Sequence, residues 1–231
     1  MIEEEWLTCS APQPLLEHLQ GQVSERKLRL FGVACCRRIS DLIIDDRSRA
    51  ALEMAERFAD GQAAPKELRQ AAKEARIAAD DRGMPEVAVL TVMSRSYRPA
   101  LTAQEAAEAV RRDERAPHRP MIATTWEAVR NPTNYALKEK TISEQKGQVV
   151  LIRDIFGNPF RPVTTEPAWL TSTVVSLATA IYTDRAFDRL PILADALEDA
   201  GCTNEEILNH CRQPGEHVRG CWVVDLVLKK K

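Results

Sequence analysis

Start and stop signals for helices recur along this chain at intervals that suit a series of short α-helices and little else. Thr102-Ala-Gln-Glu105, Thr141-Ile-Ser-Glu144 and Thr203-Asn-Glu-Glu206 have capping-box spacing, in which hydroxyl and carboxylate satisfy orphan backbone amides reciprocally. Ser24, Asp45 or Asp46, and Thr171 are further N-cap candidates. Pro65 and Pro191 suit first helical turns, where a missing N–H costs nothing. Gly61, Gly157 and Gly201 stand where apolar runs end, with Gly157 at the place of a left-handed C-cap.

Between these signals the apolar residues fall at helical steps. Leu28, Phe31, Cys35, Ile39 and Leu42 form one continuous face, and Val174, Val175, Ala178, Ile181 and Tyr182 form another. Only nine glycines, against many Ala, Leu, Glu and Arg residues, agree with helix throughout. The expectation is an all-α fold, one domain over 1–231 with short stacked helical hairpins, tightest at the C-terminal end. The run VAVLTVM at 87–93 fits a buried strand or a buried helix equally well by periodicity, and helix is chosen because no second strand is evident. The stretch 112–140, with Pro117, Pro120 and Pro132, is the expected hinge or mobile segment. No fixed internal period supports a repeat array.

Charge bounds the function. The formal net charge is −2, and basic and acidic residues are mixed, which disfavours a nucleic-acid binder needing a basic face. The N-terminus MIEEEWLTCS is acidic where a secretory signal is basic, and no stretch approaches the length of a membrane span. Six cysteines without such a signal point to reduced thiols and a cytoplasmic setting, and away from disulfides.

Chemistry concentrates in one place. Cys202, His210, Cys211, His217 and Cys221 are all zinc-ligand residue types within a short span. A tetrahedral set drawn from them would clip two short helices together. No CxxC or HxxxH knuckle is present, so ordinary core cysteines are the competing reading, and Cys211 fits a face with Ile207 and Leu208. Cys35 and Cys36 diverge around their helix and read as core. A Cys221–His217 nucleophile is the catalytic alternative, while GxSxG, Walker, HExxH and GxGxxG patterns are all missing. Asp45-Asp46 and Asp80-Asp81 read as caps or solvated helix ends.

The blocks DIFGNPFRPV, LPILADALEDAGC and HVRGCWVVDLVL, with RKLRLFGVACCRRI nearer the N-terminus, resemble those of an uncharacterised family of bacterial hypothetical proteins. The resemblance spans roughly Trp6–Gly61 and Gln148–Leu228. It implies kinship and carries no activity, cofactor or residue role onto this chain.

The functional expectation is a non-enzymatic helical module that binds a protein partner. The candidate contact surfaces are the basic stretch with Arg26, Arg29, Arg37 and Arg38, and the loop pinned by Phe156, Phe160 and Trp169. The rival expectation is a zinc-stabilised domain or metalloenzyme built on the Cys/His cluster.

Overall fold

The computed structural model describes residues 1–82 and 132–231, together with 88, 89, 92, 103, 104 and 106, with 82 and 132–140 described by their backbone. Its described residues are all-α, with no strand. The chain forms two compact units, residues 1–8 with 150–231, and residues 9–149.

The unit 9–149 contains α2 (Pro12–Leu19), α3 (Glu25–Arg38), α4 (Asp46–Ala59), α5 (Pro65–Arg82) and most of α6 (Pro132–Phe156). Ser24 Oγ accepts from the Lys27 amide at 3.3 Å, and Asp45 Oδ1 accepts from the Arg47 amide at 2.9 Å, so both caps form where the sequence places them. Leu30 and Phe31 are buried on α3 together with Cys35 and Cys36, each fully enclosed. α4 packs against both α3 and α5. Ala75, Ala78 and Ala79 are buried on α5, where small side chains permit close approach. Ala88, Val89 and Val92 are helical and buried, which bears on the ambiguous run at 87–93; its other residues lie outside the described set. The Thr102–Glu105 pattern also falls largely outside it, as does 112–131 of the expected hinge, while from Pro132 the backbone is helical.

The basic stretch of α3 is turned to internal work. Arg26 pairs with Asp60 at 3.0 Å, Arg37 with Glu53 at 2.7 Å and Glu56 at 3.0 Å, and Arg38 with Glu144 at 3.1 Å. Arg29 is buried, donates to the Val92 carbonyl, and lies over the Phe58 ring at 5.3 Å. The structure therefore corrects the expectation that Arg29 belongs to an open charged surface. The Thr141–Glu144 pattern is corrected too, because it lies inside α6 and opens nothing. A capping box acts only where the preceding backbone leaves the helix. Here it stays helical, and the Glu144 carboxylate serves Arg38 and the Gln148 side-chain amide, 3.1 Å away.

The unit 1–8 with 150–231 joins α1 (Glu3–Thr8), the last turns of α6, α7 (Ser172–Asp184), α8 (Leu190–Asp199), α9 (Glu205–Arg212) and α10 (Trp222–Val227). Thr171 caps α7 through the Val174 amide, at 3.3 Å. The cap of α9 is Asn204, whose Oδ1 accepts from Ile207 N at 3.1 Å, one residue later than the Thr203 pattern suggests. α8 packs on α7 and α9, and α10 on α7 and α9. Ile181, Leu190, Leu193, Leu197, Ile207 and Val223 are at most 1% exposed in their shared core. Each such side chain contributes roughly 2 kcal/mol by leaving water. Arg153 Nη2 donates to the Trp6 and Leu7 carbonyls at 2.7 and 2.9 Å, tying the end of α1 to α6. No described helix is long and apolar enough to cross a membrane.

Candidate metal centre

α6 ends where Gly157 takes a left-handed conformation, φ 67°, and returns its amide to the Arg153 carbonyl at 3.0 Å. That last turn places Asp154 inward among Leu151, Ile152 and Ile155, although it is a carboxylate on an apolar face. α9 buries Ile207, Leu208 and Cys211 and, on the same inward side, His210. Gln213, β-extended ahead of Pro214, terminates α9 and sends the chain through a turn that delivers His217. Cys221 then sits at the N-cap of α10, 0% exposed.

These four residues converge. Asp154, His210, His217 and Cys221 each offer a donor atom, and the donors all lie within 4.8 Å of one another. His217 Nδ1 is 2.6 Å from Asp154 Oδ1, His210 Nε2 is 3.2 Å from the same oxygen, and His210 Nε2 is 3.2 Å from Cys221 Sγ. Donors held about 2.0–2.3 Å from a tetrahedral zinc stand about 3.3–3.5 Å apart, so two of these separations already approach a coordination edge. A buried Asp/His/His/Cys group of this kind can hold a metal ion.

The electrostatics follow from burial and from Asp154. Burial pushes the Asp154 carboxyl up, but hydrogen bonds and charge from His210 and His217 outweigh it, leaving the pKa below the ordinary 3.8. Its Oδ2 also accepts from the Val218 amide at 3.0 Å. Burial pushes His217 down, and the Asp154 hydrogen bond and charge, with help from the Gln213 backbone, carry the pKa above the ordinary 6.5. His217 Nε2 is buried and makes no hydrogen bond of normal geometry; the Gln213 backbone influences the ring without closing one. For Cys221, burial and then the nearby Asp154 charge drive the thiol well above its usual 9.0. A thiol held protonated in this way is a poor nucleophile, which counts against the Cys221–His217 catalytic alternative. A cation among the donors reverses that situation, since metal coordination strips the thiol proton.

Two neighbours shape the imidazoles. The Gln213 side-chain amide lies 3.4 Å from His210 Nδ1, the position from which a metal-binding histidine is oriented. The Trp222 ring sits 5.1 Å from the His210 ring, and the two histidine rings meet edge-on at 4.9 Å.

Of the residues the sequence singles out, His210, His217 and Cys221 meet. Cys202 and Cys211 do not join the metal-capable group; both are buried in the apolar core. Burial, with smaller contributions from Asp154 and Cys202, pushes Cys211 up to about 12, as expected of an inert core thiol. The fourth donor is Asp154, which the Cys/His pattern misses. The one local signal for it is an acid between Ile152 and Ile155 on the buried side of a helix. In the loop that follows, Phe156 and Phe160 are half-buried and Trp169 is buried, so the aromatic ring of greatest bulk is spent on the core. Compared with protein-family models, with curated proteins and with solved structures, the chain matches none, and the reading of this centre rests on its own geometry.

Proposed function

We propose that residues 150–231 bind one zinc ion through Asp154, His210, His217 and Cys221, and that this ion clips α6, α9 and α10 into a non-enzymatic helical module. The observation that carries the reading is the convergence of these donors within 4.8 Å in a buried setting. One thiolate, two imidazoles and one carboxylate suit tetrahedral zinc, and they disfavour magnesium or calcium, which prefer all-oxygen shells. Asp154 and His217 already compensate each other, while the buried Cys221 thiol beside the Asp154 charge stays protonated until a dication lets it ionise. The module's role is then to present a stable helical surface to a protein partner.

Elemental mass spectrometry on untagged protein tests the reading. About one zinc per chain, removable by chelator with loss of thermal stability, is expected. A chain that takes up no zinc after chelation and reloading would overturn it.

A further inference from the structure

We propose, resting on the metal reading above, that the bound ion keeps a coordination position facing a cavity and takes a small anionic donor there. A cavity of ≈250 Å³ adjoins the centre, walled by Val150, Arg153 and the Gln213–Glu216 turn together with Asp154, His210 and His217. Cys221 is absent from that wall and lies fully buried behind it. In a tetrahedron, the face opposite one donor is bounded by the other three. The face opposite Cys221 is therefore the one that meets the cavity.

The Val218 amide engages Asp154 Oδ2, which leaves Oδ1 as the ligand oxygen and disfavours a two-oxygen chelate across that face. A four-coordinate zinc can expand to five donors, and the face turned to the cavity is where a fifth would enter. The ligand class follows from size and charge. Pockets for drug-sized ligands run from about 300 to 1,000 Å³, so this one suits an ion of a few heavy atoms. Arg153 and the metal favour an anion, and Glu216 opposes one. A hydroxide, azide or small carboxylate fits this description.

The test is visible absorption of the full chain loaded with cobalt(II), titrated with sodium azide. Cobalt alone should give intense four-coordinate d–d bands and a thiolate charge-transfer band. Azide should then weaken and shift the d–d bands in a saturable way, with the thiolate band retained. An unchanged spectrum would overturn the open position while leaving the metal reading standing. Bands that vanish as cobalt leaves the protein would also overturn it. Absence of any cobalt–thiolate band would defeat the metal reading, and this proposal with it. V150E, at a position 43% exposed on the cavity wall, should weaken azide by about threefold or more through charge repulsion, with cobalt still bound in full. Equal azide affinity in that variant would remove the assignment to this cavity.

Discussion

Asp154 Oδ1 lies 2.6 Å from His217 Nδ1, the tightest contact between donors in the centre, and it joins residues 63 positions apart in sequence. Both side chains are enclosed, at 3% and 7% exposure, so removing one partner strands the other in a buried site and costs more than it would at the surface. Asp154→Asn keeps the shape and deletes the charge. It should abolish zinc retention and cost about 3 kcal/mol in the metal-free protein, read by urea denaturation. A loss of well under 1 kcal/mol would mean that the carboxylate is not what holds His217.

Metal and protons should compete. The Asp154 carboxyl is held below 3.8, so its contribution is present above that pH and is lost as pH falls through its folded pKa. The His217 ring is held above 6.5, so its contribution is complete below 6.5 and is lost as pH rises through its folded pKa. Without zinc, the pair therefore stabilises most between those values. Zinc must displace the His217 and Cys221 protons, so its stabilisation grows with pH. Melting from about pH 6 to about pH 8 should show the chelated protein losing ground while the zinc-loaded protein does not. Parallel curves would show that no proton is displaced.

The three C-terminal cysteines should separate by behaviour. Cys221→Ser should lower zinc affinity by at least tenfold, about 1.4 kcal/mol, because a thiolate is exchanged for a weaker hydroxyl donor. Cys202→Ala and Cys211→Ala should keep full zinc content and lose about 1 kcal/mol each from core packing. Zinc lost equally from all three would place the ion elsewhere.

Gln213 is assigned a positioning role at His210 Nδ1. With Nε2 on the ion, Nδ1 carries the proton, and the amide oxygen can turn to accept it. Gln213→Leu should weaken zinc by about tenfold, and Gln213→Asn should recover little because its side chain is shorter. Unchanged affinity in Gln213→Leu would remove the residue from the site.

Gly157 links the helix end to the centre. Its φ is 67°, and an added Cβ would meet the Trp222 ring at 3.2 Å. Gly157→Ala should cost about 1–2 kcal/mol through backbone strain. Because Trp222 also contacts His210, zinc should shift the tryptophan fluorescence, and the shift should change in this variant. Wild-type stability would contradict the strained geometry.

The punctuation of this fold was readable because caps and C-terminal glycines act within a turn of where they stand. Ser24, Asp45, Thr171 and Gly157 all serve as their local sequence suggests. Thr141–Glu144 misleads for a related reason: the pattern permits a helix start without requiring one, and Glu144 is claimed by Arg38 from a distant helix. The centre was half legible. His210, His217 and Cys221 share a short span and a residue chemistry, so composition draws attention to them. Asp154 joins them only because α6 is packed beside the turn at 213–221, and no spacing rule spans that separation. The same limit applies to the α3 arginines, whose carboxylate partners Asp60 and Glu144 come from other segments.

The carbonyls of Trp6 and Leu7 are held by Arg153, and Glu3 is met by Asn158 and Arg161. During synthesis, α1 leaves the ribosome long before these partners have been translated. Residues 9–149 emerge in the interval. The unit that holds the candidate donors therefore cannot be completed until its C-terminal helices exist, and residues 1–8 find their partners only then.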